Sequence, residues 1–221
     1  MMKRAIVLAV AALFVVGVGA MAYPVYPGGY NFLSPPVVPF DPNVTSMFPA
    51  PTYDPGGNDF LYRLNAADQN AAIYDPIFPG DYGGMLLGDG FKYLYNNTGN
   101  VQNWDVIGAP DGLPDSSGVM TDMWISLAPQ GGWWTYIGCP FKHAVDIAKC
   151  FLTDGLVTKT WDQAATDGWT EGVMWGLDAS VGISFSVGSD PMMYDRTQLE
   201  AYNGYEFHTL KGNLALIVPA Y

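Results

Sequence analysis

Apolar and aromatic side chains along this chain recur mostly at every second position, in short runs broken by Gly, Pro, Asp and Asn. That period belongs to a pleated strand with one buried face rather than to a helix. Strands are predicted over 59–64, 71–74, 85–87 and 90–95, and again over 121–127, 133–138, 150–153, 172–177, 182–187, 204–210 and 214–218. Segments of this length at roughly 8–12-residue spacing read as an all-β fold, a sandwich or a barrel-like architecture. Helix is predicted in two places only. Thr160 is a candidate N-cap for 160–166, which Gly168 ends, and 42–48 makes at most a single turn. Residues 23–55 are rich in Pro and aromatics, and proline removes ladder donors, so this arm is restricted to edge strand or extended segment.

The chain also resembles itself. Residues 60–68 match 173–180, 88–94 match 202–208, 104–110 match 214–220, and 30–36 match 134–140. The organisation expected is a leader over 1–22, an arm and the start of a first β unit over 23–55, the rest of that unit over 56–118, and a second β unit over 119–221. The two units either share one core or form two.

The second unit carries a recognisable string. Asp122-Met123-Trp124-Ile125-Ser126-Leu127 is followed by Gly132-Trp133-Trp134-Thr135-Tyr136-Ile137-Gly138-Cys139-Pro140-Phe141, then by Leu152-Thr153-Asp154-Gly155, Thr158-Lys159-Thr160 and Gly168-Trp169. Tyr202-Asn203-Gly204-Tyr205 and Asn213-Leu214-Ala215-Leu216-Ile217-Val218-Pro219 complete it. This string resembles a β-rich module of secreted bacterial proteins, with a pattern of the form DxWISL, GWxLIGxPF, VTDGxxTKT, AGW, a GYW-like strand and NLxLIIP. The resemblance covers 120–221 well and 30–110 weakly. It implies an extracellular setting and a β architecture, and it brings no catalytic residues. The chain departs from the pattern at Gly204-Tyr205-Glu206-Phe207, where Phe stands for the usual Trp and Glu206 is inserted.

Composition narrows the setting. Hydrophobic residues make up 49% and charged residues 14%, enough apolar material for a sizeable core. The net charge is −12, with 18 Asp to 3 Glu, which argues against nucleic acid and anionic membrane surfaces as partners. Asp serves turns and caps where Glu serves helices. At the N-terminus Lys3 and Arg4 precede an uncharged apolar run, and Ala20-Met21-Ala22 supplies a small-x-small cleavage site. A secreted or cell-surface location is therefore expected, with cleavage before Tyr23; an uncleaved anchor is the rival. In an oxidising compartment Cys139 and Cys150 are most simply a disulfide, contributing roughly 2–3 kcal/mol; two buried free thiols are the other reading.

Chemistry is sparse. His143 and His208 have no nucleophile motif beside them, Glu171, Glu200 and Glu206 form no pair in the sequence, and neither a Walker loop nor an HExxH motif is present. No catalytic residue and no cofactor is assigned, and the chain is expected not to be an enzyme. Calcium is the ion its loops suit, with Asp111 and Asp115 as candidate ligands and 54–59 as a second loop. The expected role is a secreted structural or cell-surface subunit that self-associates, its partners copies of itself or other surface proteins. Tyr23, Tyr26 and Tyr30 in the arm, and Leu214, Leu216 and Val218 in the closing apolar run, are the candidate contacts. The alternative is a carbohydrate-binding module that meets polysaccharide through Trp133 or Trp134. Core use of Trp124, Trp133, Trp134 and Trp175, which recur at strand period, competes with that alternative.

Overall fold

A computed structural model describes residues 23–48, 59–96, 99–109 and 121–220. The leader, most of the 54–59 loop, and Asp111 and Asp115 lie outside the described residues. The fold is all-β, built from open antiparallel sheets packed as sandwiches rather than closed into a barrel. The first unit contains β1 (Tyr23–Val25), β2 (Gly29–Leu33), β3 (Val38–Pro39), α1 (Val44–Met47), β4 (Phe60–Leu64), β5 (Ala71–Ile73), α2 (Pro79–Tyr82), β6 (Phe91–Tyr95), β7 (Gln102–Trp104) and β8 (Gly108–Ala109). The second contains β9 (Met123–Ser126), β10 (Trp133–Gly138), β11 (Val145–Asp146), a 3₁₀ turn (Ile147–Lys149), β12 (Phe151–Thr153), β13 (Thr158–Thr160), α3 (Trp161–Thr166), β14 (Thr170–Asp178), β15 (Ile183–Val187), β16 (Gln198–Leu199), β17 (Gly204–Thr209) and β18 (Ala215–Val218).

Period-2 patterning sets what each strand buries. In β6, Phe91, Tyr93 and Tyr95 enter one core; in β17, Tyr205 and Phe207 enter another. Helix α3 forms where a capping box is written: Thr160 accepts from the Gln163 amide and Gln163 accepts from that of Thr160. Its apolar side is small, and only Trp161 and Ala164 are buried. The strand expected at 85–87 does not form. Gly83 and Gly88 adopt left-handed backbone on either side, and the Met85 amide turns away to donate to the Pro42 carbonyl at 2.9 Å.

The two large sheets share one plan. Strand order is β2-β6-β4-β5 in the first and β10-β17-β14-β15 in the second. Strands that match in sequence hold matching places, and the register matches residue by residue. Phe32 lies opposite Lys92 as Tyr136 lies opposite Glu206, and Tyr62 lies opposite Lys92 as Trp175 lies opposite Glu206. Even the hairpins agree. The Asn65 side chain accepts from Ala67 N and the Asp178 side chain from Ser180 N, each starting a turn that closes on a residue with φ near 60–70°, Gln69 or Gly182. The smaller sheets follow suit: β1 pairs with β7 as β9 pairs with β18, and β3 pairs with β8 as β12 pairs with β18.

The units meet along a seam with pseudo-two-fold character. Ser34 N donates to the Tyr202 carbonyl at 2.8 Å, and its counterpart Gly138 N donates to the Gly88 carbonyl at 2.9 Å. Leu33 bridges Asn203, and its counterpart Ile137 bridges Asp89. Each contact is made once in each direction, as in an isologous dimer. The backbones approach so closely that glycine is required. A Cβ on Gly90 would lie 2.5 Å from the Ile137 carbonyl oxygen, and one on the matching Gly204 would lie 2.8 Å from that of Leu33. Tyr202 crosses the seam into the first core, stacking on Tyr23 at 5.6 Å and meeting Trp104 edge-on at 5.8 Å.

Two expectations about sticky segments are corrected. The closing run is not an exposed edge. Strand β18 lies inside the sheet β13-β12-β18-β9, and Leu214, Leu216 and Val218 are buried in the second core. The arm is not free either, because Val25, Leu33 and Val37 supply the first core and need the rest of the unit to cover them. Replacement of Gly90 by Ala is expected to lower stability by about 1–3 kcal/mol through backbone overlap at Ile137. Chemical denaturation followed by tryptophan fluorescence measures this, and an unchanged midpoint contradicts the close approach.

Candidate functional site

The outward faces of the two large sheets converge beside the seam on a groove of about 460 Å³. Its walls come from matched positions: Phe32 with Tyr136, Tyr62 with Trp175, Leu64 with Leu177, Lys92 with Glu206. Phe32 and Tyr136 meet edge-on with centroids 5.0 Å apart, and they close the inner end. Lys92 projects between them, its ammonium 5.3 Å from one ring centre and 5.0 Å from the other. It donates to Glu206 at 2.5 Å. Burial alone would lower the Lys92 pKa, but the Glu206 hydrogen bond and the neighbouring Tyr136 and Glu206 charges outweigh it and hold the ammonium above the ordinary lysine value. Burial raises the pKa of the Tyr136 hydroxyl, the Lys92 charge offsetting only part of that effect.

Arg63 stands at the other side. It donates to the carbonyls of Tyr82 (3.3 Å) and Gly84 (2.9 Å) and pairs with Asp89. Burial nevertheless raises the Asp89 carboxyl above its usual range, the Arg63 charge offsetting only part of that effect. The position matching Arg63 is Gly176, over which the Phe185 ring packs, with the Arg196 guanidinium 3.7 Å from that ring's centre. The outer rim holds Tyr30, Tyr62, Trp175 and Ser184, and Tyr30 leans on Tyr62 with centroids 6.1 Å apart.

The residues singled out in the sequence are scattered by comparison. Of the arm tyrosines, Tyr30 reaches the groove, whereas Tyr23 is docked against Tyr202 and donates to Asn203. The Tyr26 amide is held by the Asn31 side chain at 2.8 Å. Trp133 and Trp134 are both half-buried, and Trp134 stacks on His208 at 4.7 Å while its amide and carbonyl are bound by Gln69. The exposed tryptophans are Trp124 (57%) and Trp175 (40%), because both face outward from their sheets. Core use is thus corrected for those two; the central tryptophans are Trp104, Trp161 and Trp169.

The disulfide read from the Cys139 and Cys150 spacing is absent, and both stand as buried free thiols. Each has a carbonyl acceptor instead: Phe141 and His143 for Cys139, Asp146 for Cys150. Burial pushes Cys139 up to about 12 and raises Cys150 as well, so neither offers a thiolate in the folded state. His208 lies 2.9 Å from Glu171, and His143 stacks on Phe141. Among the described residues no cluster of three or more His, Cys, Asp or Glu is placed to hold a metal ion.

None of the groove residues Tyr62, Trp175, Phe32, Tyr136, Lys92 and Glu206 was assigned a binding role from the sequence, where Trp175 reads as a core residue and Glu206 as an unpaired carboxylate. The signal lay in the self-match, which aligns them two by two at outward-facing strand positions. No family model matches the chain, and no curated protein or solved structure matches it.

Two measurements probe this region. Lys92→Glu and Glu206→Lys each place like charges at the seam and are expected to cost about 1–2 kcal/mol, while the double swap restores most of the loss. A double-mutant cycle by chemical denaturation reads the coupling, and additive losses contradict the pairing. Alkali is expected to unfold the protein. Tyr23 and Tyr202 are pushed up from 10.0 to about 12, principally by burial. Because their folded values lie above the unfolded ones, the associated stability is complete below pH 10 and is lost as pH rises through about 12. Tyrosinate absorbance and near-ultraviolet circular dichroism, recorded from pH 9 to 13, are expected to change together. Ionisation of all tyrosines near pH 10 with the fold intact excludes it.

Proposed function

We propose that this chain is an exported, non-enzymatic β protein that acts as a structural or cell-surface subunit by associating with copies of itself. Support for export comes from Lys3, Arg4, the apolar run and Ala20-Met21-Ala22. The observation that carries self-association is the ribbon formed by β3 and β8. Val38 pairs with Ala109, and the Phe40 amide donates to the Ile107 carbonyl, so all four side chains share one face. That face is wholly apolar and exposed, Phe40 at 73% and Ile107 at 74%. A pocket of about 400 Å³ adjoins it, lined by Phe40, Met47, Trp104 and Ile107 together with the polar Asp41, Ser46, Asn103 and Asp105. In the second unit the corresponding pair β12–β18 is flanked by β13 and β9, whereas among the described residues no further strand pairs with β3 or β8.

A second copy is the occupant that suits this face. It offers the same apolar ribbon, and an isologous contact places Phe40 and Ile107 against their own equivalents. Net charge works against association at long range, so screening strengthens it. The protein from Tyr23 onward is expected to form oligomers, sheets or filaments in light scattering and electron microscopy, more so as salt rises. Phe40→Asp and Ile107→Asp are each expected to weaken assembly by about tenfold or more. A chain that stays monomeric at every concentration and salt level sinks the proposal, as does assembly indifferent to both substitutions.

A further inference from the structure

We infer that the groove between the two large sheets is a binding site for a neutral oligosaccharide. The assignment rests on what the groove has left to offer once its internal contacts are satisfied. Its charges are already paired, Lys92 with Glu206 and over the Phe32 and Tyr136 rings, and Arg63 with Asp89 and two carbonyls. An ionic ligand would have to break one of these pairs in a half-buried setting, leaving a charge without its partner. What remains to contact a ligand is aromatic surface, flanked by Leu64 and Leu177, and hydroxyl groups at the rim. Tyr62 and Trp175 present rings from the two walls, and Tyr30, Tyr62 and Ser184 bring hydroxyls to the rim.

That combination selects a ligand that is uncharged, rich in hydroxyls and flat on one face. A pyranose ring has this character: its C–H face stacks on an aromatic ring while its equatorial hydroxyls hydrogen-bond at the edges. An aliphatic ligand would leave the rim hydroxyls unsatisfied. The volume, about 460 Å³, falls within the roughly 300–1,000 Å³ of small-ligand sites. The two-fold-related placement of Tyr62 and Trp175 gives one stacking platform on each side of the seam, which suits a ligand of more than one ring.

The site is distinct from the apolar ribbon of β3 and β8, and none of the ribbon's residues lines it. The protein from Tyr23 onward is to be titrated with cellohexaose and xylohexaose, with hexagalacturonate as an anionic probe and the peptide 23–38 as an extended aromatic one. Tryptophan fluorescence and calorimetry report binding. At least one neutral hexasaccharide is expected to bind with a dissociation constant of roughly 10 µM to 1 mM. Trp175→Ala and Tyr62→Ala are each expected to weaken it about tenfold or more, Trp175→Phe less, with unchanged thermal midpoints. Phe40→Asp is expected to bind the sugar as the parent does. The inference is overturned by three results: no neutral hexasaccharide binding below 1 mM, affinity unchanged in both alanine variants, or tighter binding of the anionic probe or the peptide.

Discussion

The fold depends on the close approach of two backbones at the seam. Strand β10 of the second unit lies against the loop before β6, and β2 of the first lies against the loop before β17, each held by an amide-to-carbonyl hydrogen bond and a strand bridge. Only glycine leaves room for this, at Gly90 and Gly204 alike. Everything near the seam follows from that approach. It carries Tyr202 into the first core, brings Tyr23 under cover, and sets the spacing between the sheets whose outward faces line the groove.

Two-fold placement has an electrostatic consequence. Residues at matched positions next to such an axis face each other, so two identical charges there would repel. Lys92 and Glu206 hold matched positions and carry opposite charges, which turns a liability into a hydrogen-bonded pair. Glu206 is the residue that does this. Phe32 and Tyr136 divide the neighbouring place in the same spirit, one ring meeting the other edge-on with a hydroxyl on only one of them. In a chain of net charge −12, the seam is thereby left locally neutral.

The molecule separates two kinds of exposed apolar surface. At the β3–β8 ribbon the apolar side chains are aliphatic and phenyl, without polar atoms, which suits contact with like surface. At the groove they include Tyr30, Tyr62, Tyr136 and Trp175, each with a polar tip, set around charges that are already paired. The difference comes from the second layer of each unit. The second unit flanks β18 on both sides, whereas among the described residues the first unit has two-residue and three-residue strands in the corresponding places.

Much of the fold was legible in the sequence because a strand's period of two is a local property. Strands β4, β6, β10, β12, β14, β15, β17 and β18 fall within a residue or two of the spans read from alternation, and α3 begins at the capping box that Thr160 and Gln163 spell. Alternation tells which residues share a face; it does not tell what that face meets. Trp175 and Trp161 look alike in sequence, yet one points outward across the groove and the other is buried beneath α3. Leu216 and Phe40 both sit in apolar stretches, one within β18 and the other just past β3, and tertiary placement makes one central and the other exposed. Cys139 and Cys150 lie close in the chain, yet each thiol finds a carbonyl of its own. Local pattern thus determined the strands, their faces and the matched halves. The strand order and the seam between those halves were decided by tertiary structure, because they depend on contacts between residues far apart in the chain, Asp89 with Ile137 and Leu33 with Asn203 among them.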